Sequence, residues 1–152
     1  MLRRTFCATC LGVDAITVVV EVDVTVGISF HLVGLPDSAV RESQQRIGTA
    51  LTSVGARIPG KKIIVNMAPA DLKKEGSSFD LAIAVGILAA TGQYSFCNLN
   101  EFMILGELAL DGSLRHVSGA LPIAEHAKKE GFKGCIFPGS SAGEAAEIDG
   151  ID

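Results

Sequence analysis

The chain alternates segments rich in β-branched residues with segments whose apolar residues recur at helical spacing. Residues 15–25 are mostly valine and threonine and alternate in part with polar side chains, which predicts a β-strand. A second segment of this kind runs from Ile28 to Leu35. Gly27 lies between the two segments and predicts a turn, so we expect the two strands to form an antiparallel hairpin.

Three longer segments carry the pattern of helices. In residues 37–55, Asp37 can cap the first turn, Gly55 can end the helix, and the apolar residues form one stripe. Residues 78–91 are apolar almost all round, which is typical of a helix covered on several sides. Residues 119–130 predict a third helix. The inward-facing residues of the first and third helices are Val40, Ile47, Leu51, Val54, Ile123, Ala124 and Ala127.

Short apolar segments complete the pattern. Residues 61–69 predict a strand that ends at a proline, and residues 102–117 predict two strands joined at Asp111-Gly112, a dipeptide that suits a tight turn. A last strand at 134–138 precedes one or two helical turns. The pattern predicts an α+β fold, a mixed β-sheet with helices packed on it. The residues that we expect to be buried are Leu81, Val85, Leu88, Ile64, Val65 and Ile123.

Length and composition indicate one globular domain over residues 1–152. The chain has 152 residues, 48% hydrophobic and 20% charged, which is enough apolar material for a single core. Apolar and polar residues alternate in the final segment, as they do at the start of a strand. We therefore expect the sequence to be a fragment of a longer protein. No apolar run reaches the roughly 18 residues of a membrane span, and the first residues make a poor signal peptide. We therefore expect no membrane partner and a cytoplasmic location.

The cysteines do not predict a metal site. Cys7 and Cys10 form a C-x-x-C, but the second pair that a zinc site needs is missing. If residues 3–11 form a strand, Cys7 and Cys10 point to opposite faces and cannot bind one ion together. We expect the cysteines to be small buried apolar residues of a reduced protein.

The net charge of the chain is compatible with nucleic-acid binding only through a local group of basic residues. The net charge of −4 argues against a generally basic DNA-binding protein. One interval is nevertheless rich in cations, with Glu42 and Asp71 opposing them, and it is a candidate DNA-binding patch or an ordinary solvated surface. Its basic residues are Arg41, Arg46, Arg57, Lys61, Lys62, Lys73 and Lys74.

The segment Gly55–Lys62 resembles a phosphate-binding loop but has the wrong context. Such a loop follows a strand and opens a helix, so that backbone amides converge on the phosphate. Here a helix precedes the segment and a strand follows it, and Lys62 occupies the place of the hydroxyl residue. We therefore expect this chain to bind no nucleotide.

The segment "KKEGSSFDLAIAVG", residues 73–86, contains two adjacent serines before an apolar helix. Ser77 and Asp80 have the spacing of a capping box, in which the hydroxyl and the carboxylate bond amides of the first turn. Asp80 would also lie near the positive end of the helix dipole. Capping explains Ser77 but not Ser78.

Three blocks of the sequence carry a family resemblance. "VGLPDSAVRES", "VNMAPADLKKEGSSFDLAIAVGILAA" and "LGELALDGSLRHVSGALPIAEHAKKEGFKGCIFP" resemble the N-terminal domain of magnesium-chelatase-like AAA+ ATPases of the ComM/YifB type. The resemblance covers nearly the whole chain. It implies the fold of the Lon protease domain, which a ribosomal small-subunit protein shares. It also implies an AAA+ ATPase module after residue 152, which would bind Mg-ATP and assemble as a hexamer.

The comparison with Lon proteases bears on Ser78. Ser78 falls at the position of the Lon nucleophile, whereas the positions that match the Lon lysine, Ala120 to Ile123, contain no lysine. Lys128 and Lys129 come more than a turn later, and Lys73 and Lys74 are expected to be exposed and protonated. A serine needs its base within hydrogen-bond reach, so we expect Ser78 to be inactive and the chain to contain no catalytic residue.

Three functions follow as hypotheses from the resemblance. The favoured one is a non-catalytic accessory domain that promotes oligomerisation or contacts DNA, in a motor for branch migration or helicase action during recombination and natural transformation. The second is a domain of a chelatase-type chaperone motor that acts on a protein or metal-insertion partner. The third is a Lon-type serine peptidase.

Overall fold

A computed structural model of the chain describes all 152 residues. It contains eight strands and five helices, with a 3-10 turn at Leu99–Glu101. The strands are β1 (Leu2–Leu11), β2 (Asp14–Thr25), β3 (Ser29–Val33), β4 (Lys62–Ala68), β5 (Phe102–Ile104), β6 (Glu107–Leu108), β7 (Leu114–Arg115) and β8 (Gly134–Ile136). The helices are α1 (Ser38–Arg41), α2 (Ser43–Ser53), α3 (Asp80–Ala90), α4 (Ala120–Lys129) and α5 (Gly139–Ala145).

Six strands form one mixed sheet in the order β3-β4-β2-β1-β5-β8, and β6 and β7 form a separate two-stranded sheet. β2 is antiparallel to both of its neighbours, β1 and β4, whereas the pairs β3–β4, β1–β5 and β5–β8 are parallel. The predicted α+β class, a mixed sheet with helices packed on it, is confirmed.

The predicted hairpin of β2 and β3 is wrong. β4 lies between these two strands, and β3 pairs in parallel with β4 from Ser29↔Lys62 to Val33↔Asn66. α1 and α2 connect β3 to β4, as parallel neighbours need a crossover rather than a tight turn. The hairpin in the structure joins β1 to β2, with ten residue pairs from Leu2↔Asp23 to Leu11↔Asp14.

The sheet buries residues on both faces. On one face α3 packs on β1 and β2, where the Thr5 hydroxyl donates to the carbonyl of Ala82 at 2.9 Å. On the other face α4 packs on the same strands, and Thr17 and His126 Nε2 are hydrogen-bonded at 2.8 Å. Successive side chains of a strand alternate between the faces, so Cys7 lies on the α3 side and Cys10 on the α4 side. Burial raises the pKa of the Cys7 thiol to about 12.

The predicted helices are present with shifted bounds. The first is divided at Glu42 into α1 and α2, and Asp37 caps α1 by accepting from the amide of Val40 at 2.8 Å. Val54, which we expected to face inward, lies beyond the end of α2 and is 55% exposed.

Part of the expected core is only half-buried. Val65 and Ile123 are buried as expected, and so are the inward residues of α4. Leu81, Val85, Leu88 and Ile64 are half-buried, because the three α3 residues lie outside the fully buried side of that helix and because β4 buries alternate side chains. The buried side of α3 consists of Ala82, Ile83, Gly86, Ile87, Ala89 and Ala90 together with Asp80 and Ala84.

The carboxyl-terminal third has the predicted order of elements, except that the first of the two strands predicted over residues 102–117 is divided into β5, which joins the main sheet, and β6. β6 and β7 pair around a turn that contains Asp111 and Gly112, and the Asp111 carboxylate accepts from the amide of Ser113 at 2.9 Å. The last residues form no further strand, but Asp152 exchanges backbone hydrogen bonds with Lys133 and Cys135 beside β8. None of the helices has both the length and the apolar character that crossing a bilayer requires.

Candidate functional site

The turn before α3 does not contain the predicted capping box. α3 begins at Asp80, its cap residue is Phe79, and no side chain caps its first turn. The Ser77 hydroxyl donates instead to Glu107 Oε2 at 2.6 Å, and the Ser77 carbonyl accepts from the amide of Asp80 at 3.2 Å. The serine is therefore used to attach the turn to β6. The spacing of Ser77 and Asp80 predicted a cap because a local pattern shows only residues close in the chain. It could not show that the Ser77 hydroxyl bonds to Glu107, which lies far along the sequence.

Asp80 is fully buried and forms an ion pair with Arg46 of α2. The Arg46 guanidinium donates to the two carboxylate oxygens at 2.7 and 2.9 Å, and the amide of Leu108 donates to Oδ2 at 3.1 Å. Burial raises the pKa of Asp80, and the hydrogen bonds from Arg46 and Leu108 oppose that rise. The pair joins α2, α3 and β6. Arg46 belongs to the candidate DNA-binding patch, but its charge is engaged in this ion pair.

Ser78 is hydrogen-bonded through its backbone and not through its hydroxyl. The Ser78 carbonyl accepts from the amide of Gly106 at 3.0 Å, and the Gly106 carbonyl accepts from the amide of Leu81 at 3.0 Å. Ser78 is half-buried, and no side chain hydrogen-bonds to its Oγ. At the start of α4, where the resemblance places the Lon lysine, Ala120 and Ile123 are packed in the core.

Lys74 is buried, contrary to the expected exposed lysine. Its side chain is fully shielded from solvent and Nζ donates to the carbonyl of Pro69. Its backbone pairs with the segment before α1, donating to Leu35 and accepting from Asp37. Burial lowers the pKa of Lys74, which Asp71 partly opposes. The lysine therefore joins two loops and is removed from the candidate DNA-binding patch.

The remaining cations of that patch are separated by their contacts. Arg41 is exposed, and Lys73 is exposed beside Glu75, with Nζ and Oε1 3.5 Å apart. The stem of Lys62 packs close to Gly27. Arg57 and Lys61 line the same cavity.

The cavity with Arg57 and Lys61 has a volume of about 480 Å³ and no acidic residue in its lining. Gln93, just after α3, fixes the loop that carries these cations. Its side-chain oxygen accepts from the amide of Arg57 at 3.0 Å, and its nitrogen donates to the carbonyl of Arg57 at 2.8 Å. Neither cation has a salt-bridge partner in the protein. The arrangement can hold an anionic group.

Two histidines have contacts that the sequence did not indicate. His126 of α4 is half-buried and hydrogen-bonded to Thr17. His116 Nδ1 lies 3.1 Å from the Ser141 hydroxyl. Ser141 is fully buried and its hydroxyl also contacts the amide and the carbonyl of Val117, both at 3.0 Å. The Ser141 hydroxyl therefore fixes the start of α5 and is shielded from solvent, whereas His116 is exposed.

The segment Gly55–Lys62 has the order of elements that its sequence predicted, whereas the cysteines differ from their predicted burial. α2 ends at Ser53 and β4 begins at Lys62, so Gly55–Lys62 follows a helix and precedes a strand, the reverse of a phosphate-binding loop. The four cysteines are free; Cys7 is buried and Cys10 and Cys135 are half-buried, but Cys97 is exposed, so the predicted burial is wrong at Cys97. No group of three or more histidine, cysteine, aspartate or glutamate side chains is arranged to hold a metal ion.

The mixed sheet, the turn before α3 and the helix that follows it define an α+β domain, and sequence comparisons give its family. A protein-family model described as subunit ChlI of Mg-chelatase matches residues 20–141, and the chain belongs to this magnesium-chelatase-like family. The chain is 45% identical to the protein YifB of Escherichia coli over 124 residues, 81% of this chain and 24% of YifB. It is 44% identical to competence protein ComM of Haemophilus influenzae over 142 residues, 91% of this chain and 27% of ComM.

A more distant similarity reaches the Lon proteases. The chain is 28% identical to Lon protease 2 of Bacillus subtilis over 116 residues, 76% of this chain and 20% of that protease. The chain thus spans less than a third of the length of the curated relatives that it matches.

Proposed function

We propose that this chain is a non-catalytic accessory domain of a magnesium-chelatase-like AAA+ ATPase that processes DNA. The observation that carries the proposal is the 44% identity with competence protein ComM over 91% of the chain. In this proposal an AAA+ module outside the chain binds Mg-ATP. The whole protein assembles as a hexamer in the cytoplasm and acts in branch migration or as a helicase during recombination or natural transformation.

The distribution of charge supports DNA contact by this domain. The net charge of −4 repels DNA as a whole, so contact has to be made through a local group of cations. Arg57 and Lys61 supply such a group, because they are exposed, line one cavity and have no acidic neighbour in its lining. Arg46 and Lys74 are excluded from the contact by burial in an ion pair and between two loops.

Two other functions have a specific observation in their favour. The description of the family model, a magnesium-chelatase subunit, favours a chelatase-type motor acting on a protein or metal-insertion partner. The similarity to Lon protease 2 and the position of Ser78 favour a peptidase. The absence of a hydrogen-bonded base at Ser78 weighs against the peptidase.

The test compares DNA binding by the whole protein that carries this chain with binding by a version lacking residues 1–152. We expect the truncated version to bind single-stranded and duplex DNA more weakly than the whole protein at low salt. We also expect the dependence of its affinity on salt to be shallower, because phosphate contacts made by this domain release counterions. Equal affinities and equal salt dependence would refute DNA contact by this domain. Absence of DNA binding by the whole protein would favour the chelatase-type function.

A further inference from the structure

The carboxyl end of α3 lies between two adjacent cavities. Ala89 and Gly92 line a cavity of about 720 Å³, and Ala90, Thr91 and Gln93 line the cavity of about 480 Å³ that contains Arg57 and Lys61. Residues of this one segment line both cavities, so the two cavities lie beside the same end of α3. We call the two cavities together the α3-end surface.

The α3-end surface is basic in an acidic protein. The chain has 17 aspartates and glutamates, yet none of them lines either cavity. Arg3 and Arg4 line the larger cavity and Arg57 and Lys61 line the smaller one. Arg4 Nε donates to Glu21 at 2.8 Å, so its charge is partly engaged, whereas Arg3, Arg57 and Lys61 have no salt bridge. The surface is complementary to a polyanion.

The exposed aromatic residues of the protein lie on the same surface. The chain has seven phenylalanines and one tyrosine. Of these, only Tyr94 and Phe96 are exposed, with 51% and 39% of their surface accessible to solvent. Both line the larger cavity. Exposed aromatic rings beside cations are the features with which proteins bind single-stranded nucleic acid, because every unpaired base has a face that can stack.

The segment that carries the two rings is anchored to α3. The amide of Tyr94 donates to the carbonyl of Leu88 at 3.4 Å, and the Thr91 hydroxyl donates to the carbonyl of Ile87 at 2.8 Å. Gln93 attaches the loop of Arg57 to the same segment. The carboxyl end of a helix carries about half of a negative elementary charge, which repels an anion. The positive charge of the nearby cations is larger than this negative charge. The surface can therefore hold an anion at this end of α3.

We propose that the α3-end surface binds single-stranded DNA, with phosphates on Arg57, Lys61 and Arg3 and bases stacked on Tyr94 and Phe96. This inference rests on the proposed function, since it names the DNA that the domain contacts and the place of contact. In a duplex the faces of the bases are stacked on one another, so the two rings favour an unpaired strand. The predicted patch between Arg41 and Lys74 contributes only through Arg57 and Lys61.

The experiment measures fluorescence anisotropy of a labelled oligothymidylate of about 20 nucleotides, longer than the roughly 4–16 nucleotides of one single-strand-binding fold, with the 152-residue chain. Tyr94→Ala and Phe96→Ala should each weaken binding by at least about fivefold, the lower limit for the loss of one stacked base. Arg57→Gln combined with Lys61→Gln should lower the slope of log affinity against log salt by about 1.4, since each phosphate contact on a single strand contributes about 0.7.

Matched controls use residues of the same kind outside the surface. Arg41→Gln with Lys73→Gln removes two exposed cations, and Leu110→Ala truncates an apolar side chain that is 58% exposed. We expect these controls to leave both affinity and slope unchanged. The thermal unfolding midpoint of every variant, read by circular dichroism, identifies any loss of binding that comes from unfolding.

The outcomes separate this inference from the proposed function. Loss of binding in the control variants with normal binding in the surface variants would overturn the inference and leave DNA contact in place. The inference would also be overturned if a duplex bound as tightly as the single strand and neither Tyr94→Ala nor Phe96→Ala changed the affinity for the single strand. No binding of the oligonucleotide by the chain at low salt would overturn it as well, while the truncation of the whole protein separately tests whether this domain adds to DNA binding.

Discussion

Lys73 and Lys74 are adjacent in the chain and have opposite environments. Lys73 is 66% exposed, whereas Lys74 is fully buried with its ammonium group on the Pro69 carbonyl. The polar run around them predicted exposure for both. Lys74 is buried because its backbone pairs with the segment before α1 and carries the side chain between the two loops.

Substitution at Lys74 should therefore affect stability rather than DNA binding. Lys74→Glu should lower the free energy of unfolding by more than about 3 kcal/mol, because it places an unpaired carboxylate in the interior. Lys74→Met should cost about 1–3 kcal/mol, since it keeps the volume but leaves the Pro69 carbonyl without its donor. Lys73→Glu, the exposed control, should cost less than about 1 kcal/mol. Urea unfolding measures all three, and equal effects at the two positions would contradict the burial of Lys74.

Ser77 and Ser78 should also respond differently to removal of the hydroxyl. Ser77→Ala should destabilise by about 1–3 kcal/mol, because it removes the hydrogen bond to the Glu107 carboxylate. Ser78→Ala should leave stability nearly unchanged, because the Ser78 hydroxyl has no partner. A serine-reactive fluorophosphonate probe should not label the wild-type chain. Labelling of Ser78 in the wild type and its loss in Ser78→Ala would establish a nucleophilic serine.

At the scale of elements, the position of α3 depends on a glycine at its contact with β2. A methyl group at Gly86 would lie 2.6 Å from Cγ2 of Val22, well inside van der Waals contact. The absence of a side chain at Gly86 lets the helix approach the strand closely. In α2 a methyl group at Gly48 would lie 3.5 Å from Cδ1 of Ile58, an ordinary contact distance.

Alanine should have opposite effects at these two helical glycines. Gly86→Ala should destabilise by about 1–3 kcal/mol, since overpacking outweighs the better helix propensity of alanine. Gly48→Ala should stabilise by about 0.5–1 kcal/mol, because the propensity gain is not opposed by a clash. Chemical denaturation of the two variants measures both values. A stabilising Gly86→Ala would show that α3 does not pack against β2 at this distance.

At the scale of the whole molecule, the fold brings distant parts of the chain to the α3-end surface. Arg3 belongs to the first strand, Arg57 and Lys61 to the loop before β4, and Tyr94 and Phe96 to the segment after α3. β1 and β2 place the first residues of the chain beside Asp23, and Gln93 places Arg57 beside the end of α3. Single-stranded DNA would therefore contact three separate segments of the sequence.

The sequence by itself determined the type and order of most elements, the cap at Asp37, the turn at Asp111-Gly112 and the orientation of Cys7 and Cys10. These features depend on the period of apolar residues and on turn chemistry, which act over a few neighbouring residues. The family was also contained in the sequence, because its blocks are long and specific.

Only the tertiary structure decided which strand lies beside β2, which residue binds Asp80, and that Lys74 is buried. It also decided that Arg57 and Lys61 share a cavity, and that the two exposed aromatic rings line another cavity at the same end of α3. Each of these outcomes joins residues far apart in the chain. Local patterns constrain the backbone of a segment but not its partner, because strand pairing and side-chain burial depend on the packing of all segments together.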